Sequence, residues 1–500
     1  MIRFAPAYTA SALALTLASP AAADLTAQQV WDSWKNLGAN MGQSITVGTE
    51  TMTNGILSLN DVAIAMDVPD GQFTSTLSNI TLAPQDGTVL ITMSPQYDMR
   101  VKLDPEDDEA VDMTLQLVTP GLQTTASGSL ENIRYDFTAP EIAMSIVEMM
   151  VDGKPVDMDL DVAVNGLAGH YLIDSSEGFG FESVVDIATL IVDMEGRDLE
   201  TPGSGVSLKA AYQDIRAENS GQGAGLSNMA DPAALFAPDT VLESGYTHNG
   251  GSFTLDVSDP EEGSFTFAST TAAGSLDAVI VDGTMMYAGE SQSLDLTVSG
   301  AAIPFPELSA TLDEFGFALE MPVVKTDAPA DFGLTLILDG LSVSDVLWSM
   351  IDPSGALPRD PATLLVDLGG QATMLVDPTD PAALDTDAAP GELHALKLDA
   401  LRLSIAGAEL TGEGGFTFDN SDLVTFDGFP APDGEINLKL VGGNTLLDKL
   451  VQMGLLPQDQ AMGARMMMGL FAVPSGDDTL TSKIQVTPDG AISANGQRLQ

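Results

Sequence analysis

The chain has 500 residues, of which 72 are acidic and 18 basic, so its formal net charge is −54. A charge of this sign excludes a broad nucleic-acid-binding surface and opposes docking on anionic lipid headgroups, because carboxylates repel phosphates. The absence of cysteine excludes disulfides and thiolate chemistry, and 44% hydrophobic residues exclude a disordered acidic tail.

Residues 1–23 have the features of a secretory signal peptide. Arg3 supplies a positive charge, Ala10–Leu17 form a short apolar segment, and Ala21–Ala23 provide small residues before Asp24. The apolar segment is shorter than the ~20 residues that span a bilayer, which makes a retained anchor the weaker interpretation. We therefore expect an exported, periplasmic protein with no transmembrane segment after signal cleavage.

A few helices are predicted in the mature chain. Thr26–Met41 places apolar residues on one face behind a Thr26 N-cap, and Pro140–Met150 begins with Pro and Glu, as helices prefer. Ser344–Ile351 is a third helix, and the segment from Thr445 to Phe471 predicts two helices separated at Leu456–Pro457.

Strands are predicted for most of the remaining chain. Apolar and polar residues alternate in Ile56–Met66, Val156–Val164, Ser293–Val298 and Glu435–Leu440, which is typical of antiparallel sheets with one solvated face. The predicted fold class is mainly β: one long, twisted and curved antiparallel sheet, or two consecutive ones, with a few covering helices. An outer-membrane barrel is the rival architecture, and an aromatic content of 6% disfavours it.

Two loop-like segments suggest how the chain is divided. Glu218–Leu226 is rich in glycine, and Val376–Gly391 is acidic and rich in proline. The first predicts an N-terminal β-rich half (24–225) and a C-terminal β-rich half (226–500), the latter ending in a helical pair and a final hairpin.

No catalytic constellation is evident. The histidines His170, His248 and His394 are isolated in sequence, and the motifs of serine hydrolases, zinc proteases and phosphate-binding loops are missing. The glycines of Gly221–Gly225 lack the spacing and strand–helix context of a dinucleotide-binding loop. The sequence therefore predicts no catalytic residue, no cofactor and a non-enzymatic protein.

Two acidic clusters raise the question of calcium. Asp104–Glu109 and Asp377–Asp387 concentrate carboxylates, but neither has the ligand spacing of a calcium loop. Solvated charged turns are the favoured interpretation, and no metal site is predicted.

The most distinctive segment is the methionine-rich Leu446–Phe471. Methionine side chains are flexible and either fill irregular gaps in a core or bind varied apolar ligands. Packing against the sheet is the favoured interpretation, and a lid or lining for an apolar groove is the alternative. The candidate groove or lid residues are Leu450, Met453, Leu456, Met462, Met466, Met467, Leu470 and Phe471.

Several segments resemble a family of secreted alphaproteobacterial proteins with domain of unknown function 2125. The similar segments are spread over most of the mature chain: Val30–Trp34, Tyr135–Pro140, Leu347–Pro353, Leu357–Ala362, Met453–Pro457 and Ala494–Leu499. No activity or catalytic residue is established for that family, so the resemblance implies none here.

A second resemblance, at the level of fold, is to AsmA-like envelope proteins. Leu396–Phe418 is similar to strand pairs in their C-terminal regions. That resemblance implies a curved sheet whose apolar face holds lipid acyl chains. We therefore expect a periplasmic protein that binds or helps handle apolar envelope components such as lipids. The alternative is a structural protein of the cell envelope that works through protein partners.

Overall fold

The computed structural model describes residues 25–105, 108–176, 178–198, 201–223, 226, 235–237, 239–261, 263–376 and 390–499. Strands make up 67% of the structure and helices 11%, and the strands form one large antiparallel sheet. The predicted mainly β fold with a few helices is thus confirmed. The predicted signal peptide and the acidic segment Asp377–Asp387 lie outside the described residues.

The described part of the chain contains four helices and 25 strands, numbered here in chain order. The helices are α1 (Ala27–Asn40), α2 (Asp345–Ile351), α3 (Gly443–Gln452) and α4 (Gln458–Phe471). The strands up to the middle of the chain are β1 (Gln43–Thr53), β2 (Ile56–Val68), β3 (Gly71–Gln85), β4 (Thr88–Met93), β5 (Gln96–Leu103), β6 (Val111–Val118), β7 (Gln123–Ser129), β8 (Asn132–Val151), β9 (Lys154–Pro155), β10 (Asp157–Asp174), β11 (Gly180–Arg197), β12 (Gly205–Gln222) and β13 (Val241–Asp259). The remaining strands are β14 (Gly263–Val281), β15 (Thr284–Gly300), β16 (Leu308–Pro322), β17 (Ala330–Val343), β18 (Ala362–Met374), β19 (Gly391–Ile405), β20 (Ala408–Asp419), β21 (Ala431–Val441), β22 (Val473–Gly476), β23 (Thr479–Val486), β24 (Ile492–Ala494) and β25 (Gln497–Arg498).

Three of the helix predictions are confirmed. α1 follows a capping box in which the backbone N–H of Gln29 donates to the Thr26 hydroxyl and the Gln29 side chain accepts from the Thr26 N–H. α2 begins after Ser344, and Pro457 separates α3 from α4. Thr26 caps α1, Asp352–Pro353 follows α2 and Pro457 precedes α4, and these local signals are why sequence alone located the helices.

Two local predictions were wrong. Pro140–Met150 is part of strand β8, where hydrogen bonding to both β6 and β10 outweighs the helix-start signal. The predicted loop Glu218–Leu226 begins as strand, because β12 continues to Gln222 between β11 and β13. In both cases non-local pairing decided the conformation.

The sheet is a meander in which most strands pair with their sequence neighbours. β1, β2 and β3 pair in order, and β3 then pairs with β5 along its first half and with β4 along its second. The pairs β5–β6 and β4–β7 lead separately to β8. From β8 the order runs through β10 to β21 and on to β23, so β12 and β13 pair across the predicted boundary between the halves.

A line of interrupted pairing crosses the middle of the long strands. We call this line the crease and define it by the residues with positive φ in mid-strand: Asp61, Gly166, Asp214, Gly250, Ser293 and Gly340. At each of these residues, the apolar positions along the strand switch between even-numbered and odd-numbered residues. In β10, for example, the switch occurs between Val164 and Leu167. Leu59 and Val62 flank Asp61 and both lie in the same core at 0% exposure, so the apolar side chains stay on one face.

The hydrophobic core lies at the N-terminal end of the sheet. Val30 and Trp31 of α1 pack on Leu57, Leu59 and neighbouring strand residues, and all of these side chains are almost fully buried. We call this region the capped end. In it, α1 forms a second layer over the sheet, and the residues between the two layers form a buried cluster.

Candidate functional site

Beyond the capped end, one face of the sheet is apolar across the twelve strands β10 to β21. Register partners in antiparallel strands point to the same side, so the pairing identifies the members of this face. Representative pairs, in order along the sheet, are Val164–Leu190, Leu208–Leu255, Leu255–Phe267, Phe317–Leu336, Leu364–Leu403 and Leu410–Leu440. We call this surface the apolar face.

The apolar face is only partly covered. Within β10 to β21 the fully buried hydrophobic residues are Ile215, Leu312, Ala408 and Ala431. Large apolar side chains on the same face are exposed, among them Val257, Phe265, Leu276, Leu334 and Leu403. Contiguous exposed apolar surface of this extent marks interaction or ligand-binding sites in soluble proteins.

The opposite face of the same strands is charged. Asp157, Asp159 and Asp161 alternate with apolar residues along β10, and Arg197 of β11 lies within 3.6 Å of Asp157 and 3.9 Å of Asp159. Lys209 of β12 pairs with Asp193 at 3.4 Å. The two faces of the sheet therefore differ sharply in polarity.

A buried histidine lies on the apolar face beside the crease. The His248 ring is 8% exposed and lies 5.0 Å from the ring of Tyr212 and 5.7 Å from that of Tyr246. Gly274 on the next strand makes room for it, since a Cβ there would lie 2.3 Å from His248 Nε2. Burial lowers the pKa of His248, which keeps the ring neutral within this aromatic group.

The other two histidines lie apart from His248 and from each other. His170 in β10 is 3.2 Å from the Glu182 carboxylate, and His394 in β19 is 2.8 Å from the Thr373 hydroxyl. β10 and β13 are three strands apart, roughly 14 Å at the usual spacing, and β19 is six strands further on. The structure thus does not bring the three histidines together.

The predicted lid residues lie on α3, on α4 and between them. Leu450, Met453, Leu456 and Phe471 are half-buried, whereas Met462, Met466, Met467 and Leu470 are exposed. α4 packs inward mainly through Ala461, Met468 and Phe471, with Ala461 buried. The four exposed side chains therefore point away from the sheet.

The helical pair is fixed to the C-terminal end of the sheet. The Asp478 carboxylate caps α3 by accepting from the backbone N–H groups of Asn444 and Thr445, at 3.1 and 2.9 Å. Arg465 of α4 donates to Asp448 of α3 at 2.6 Å. Burial would raise the pKa of Asp478, but the hydrogen bonds from Thr445 and Asn444 outweigh it and lower that pKa.

The helical pair is anchored on the apolar side of the sheet. Ser482, the register partner of Leu438, donates to the Phe471 carbonyl at 2.7 Å. A Cβ on Gly443 would lie 2.5 Å from the Leu440 side chain, so α3 begins directly over the apolar face. Helices thus lie at both ends of this face, α1 at one and the α3–α4 pair at the other.

Sequence reasoning missed two features of the site. It identified alternating strands without their crease, although the shift of apolar positions between even and odd numbers, as across Asn165–Gly166, is visible in the sequence. It also described His248 only as isolated in sequence, because its tyrosine neighbours come together only through pairing.

Residues 249–495 match the model of a family described as "Uncharacterized protein conserved in bacteria (DUF2125)". The match supports the predicted domain of unknown function and covers β14 to β24, including much of the apolar face and the helical pair. No curated protein and no solved structure matches the chain.

Within the described ranges, no group of three or more His, Asp or Glu side chains is placed to hold a metal ion. Among the helices that the structure describes, none combines the length and apolar character needed to cross a membrane.

Proposed function

We propose that this is a non-enzymatic periplasmic protein that binds apolar envelope components, such as lipid acyl chains, on the apolar face of its sheet. The observation that carries the proposal is the exposure of Val257, Phe265, Leu276, Leu334 and Leu403 on a face that is predominantly apolar. Leaving such a surface in water is costly, and covering it with acyl chains recovers ~25 cal/mol per Å² of buried apolar area.

The dimensions of the apolar face support this class of ligand. Twelve strands at the usual spacing span roughly 53 Å, compared with ~30 Å for the whole hydrocarbon core of a bilayer. An extended acyl chain therefore fits along the face with room for more than one.

Three sequence features support the proposed location and the proposed class of ligand. Residues 1–23 have the pattern of an export signal, which predicts the periplasm. The resemblance to secreted alphaproteobacterial proteins agrees with this location. The resemblance of Leu396–Phe418 to AsmA-like strand pairs, which form β19 and β20 here, agrees with lipid handling.

The proposal is tested by titrating a fluorescent fatty acid into the exported protein and into two matched variants of it. Leu334→Asp places a charge on the apolar face at a residue that is 44% exposed, and Ile191→Asp places it on the opposite face at a residue that is 46% exposed. We expect Leu334→Asp to weaken binding by about tenfold or more, because bound acyl chains would desolvate the carboxylate. Ile191→Asp should bind like the native protein.

Lipid analysis of protein purified from its native periplasm provides the second measurement. We expect phospholipid or fatty acid to co-purify. No bound lipid together with no fatty-acid binding would contradict the proposal. Discrete protein adducts without lipid after crosslinking in cells would favour the alternative of an envelope protein that acts through protein partners.

A further inference from the structure

After its polar first turn, the outward face of α4 is apolar, which is the reverse of what a helix on a protein surface normally shows. Met462, Met466 and Leu470 follow each other at intervals of four residues and are 61%, 74% and 47% exposed, and Met467 beside them is 53% exposed. The inward positions of the same helix include the small Ala461 and the charged Arg465. Packing against the sheet therefore accounts for Met468 but not for Met462, Met466 and Met467.

The neighbouring helix α3 provides an internal comparison. Its exposed positions are Thr445, Asp448 and Gln452, all polar, whereas its apolar residues Leu447 and Leu450 are half-buried. Both helices are attached to the same end of the sheet, so the difference is specific to the outer surface of α4. Leu455 and Val473, at 53% and 45% exposure, extend the apolar surface beyond the two ends of α4. We call these six exposed residues the methionine patch: Leu455, Met462, Met466, Met467, Leu470 and Val473.

The charge of this region also differs from that of the chain. Residues 443–476 contain two acidic and two basic residues, whereas the whole chain has 72 acidic and 18 basic ones. Two of the four, Asp448 and Arg465, neutralise each other in an ion pair at 2.6 Å. The helical pair is thus neutral in net charge on a strongly anionic molecule, and apart from Asp478, which caps α3, it can approach a lipid surface with less repulsion than the remaining chain would meet.

We propose that the methionine patch docks the protein on the surface of a lipid bilayer, with a preference for zwitterionic over anionic headgroups. Flexible methionine side chains suit insertion among disordered acyl chains, and a helix with one apolar surface binds in the interfacial plane. α3 begins over Leu440 of the apolar face, so docking places the end of that face beside the membrane. The purpose of docking rests on the proposed lipid-binding function, but docking itself is measured independently.

The first experiment is flotation of the exported protein with vesicles. We expect it to float with phosphatidylcholine vesicles and to bind less to vesicles that also contain phosphatidylglycerol at low salt. Added salt should raise binding to the anionic vesicles, because it screens their repulsion of the chain. A decrease of that binding with salt would overturn the proposal, since it would indicate attraction between charges.

Matched variants locate the contact. Met462→Ser, Met466→Ser and Leu470→Ser combined should reduce the floated fraction by about fivefold or more. Val424→Ser with Phe429→Ser is the control, because these side chains are 88% and 75% exposed but lie in a different segment. Equal loss in both variants, or none in the first, would overturn the proposal. The first variant should still bind fatty acid on the sheet, which separates docking from the proposed function.

Because the chain contains no cysteine, a single introduced cysteine can carry a dye that reports whether its position contacts the membrane. An environment-sensitive dye on Met466→Cys should shift its emission to the blue when phosphatidylcholine vesicles are added, and the same dye on Thr445→Cys should not. No shift at residue 466 would overturn the proposal. A dimer in solution that the triple serine variant abolishes would also overturn it, because the methionine patch would then bind a second copy of the chain.

Discussion

The capped N-terminal end and the middle of the sheet are built from the same kind of strand but differ in what lies over them. Leu59 in β2 has Ile80 as a register partner, and Leu334 in β17 has Leu319 and Leu368. Leu59 is nevertheless 0% exposed and Leu334 is 44% exposed. The difference is α1, which covers the first region and has no counterpart over the second in the described part of the chain.

This comparison shows that the alternation of apolar and polar residues specifies a strand with one apolar face but not the partner of that face. At the capped end the partner is Trp31 and its neighbours from the same chain. In the middle the strands are held by pairing on both sides of the crease, and the apolar side chains remain exposed. Under the proposed function, stability and binding therefore depend on different parts of one sheet.

The largest expected effect comes from truncating one leucine in each region. Leu59→Ala removes a fully buried side chain beneath α1 and should lower the free energy of unfolding by about 2–5 kcal/mol, because a cavity remains. Leu334→Ala removes a side chain that is already half in water and should cost under about 1 kcal/mol. Urea unfolding followed by tryptophan fluorescence measures both, since Trp31 and Trp34 report on the capped end.

Far-ultraviolet circular dichroism provides the control, because both variants should retain the native strand content before unfolding. Similar losses of stability in the two variants would show that Leu334 is covered in solution and would remove the distinction between the two regions.

A smaller effect is expected at the crease, which runs through both regions. Gly340 has a φ of 72°, and a Cβ there would lie 2.3 Å from the Asp313 carboxylate. Gly153 has nearly the same φ, 71°, but nothing within 4 Å of its Cβ position. Each Gly→Ala change should cost about 1–2 kcal/mol for the left-handed conformation, and Gly340→Ala about 1 kcal/mol or more in addition for crowding.

Thermal melting of the two alanine variants measures the difference. A lower melting temperature for Gly340→Ala would show that the open middle has a fixed geometry at the crease. Equal melting temperatures would instead indicate that the middle of the sheet is loose enough to move aside.

The sequence predicted those features that depend on neighbouring residues. Thr26 caps α1, Pro457 directly precedes α4, and the alternating strands give the fold class. It could not predict that Pro140–Met150 would pair on both sides as part of β8, because that conformation depends on residues far away in the chain.

The candidate site was predicted only in part, for a related reason. The sequence identified Met462, Met466, Met467 and Leu470 as apolar residues on a helix, but periodicity does not show which side of the helix meets the sheet. Nor did it show that the apolar face would be left uncovered, since exposure depends on the absence of a second layer.

The smallest expected effect concerns His248, the buried polar ring in the otherwise open middle. Burial lowers its pKa below the ordinary 6.5, so the unfolded chain binds a proton at a higher pH than the folded protein does. Its contribution to stability is therefore complete above pH 6.5 and decreases as the pH falls through that value. Between pH 7.5 and pH 5.5 this protonation of the unfolded chain should lower the melting temperature by on the order of 1 °C, and His248→Phe should change the native pH dependence by that amount. His248→Asn, which also does not titrate but is polar, should show the same reduced pH dependence at a different absolute melting temperature. If both variants keep the native pH dependence, His248 is accessible to water when folded, and the middle of the sheet is open even beside Tyr212 and Tyr246.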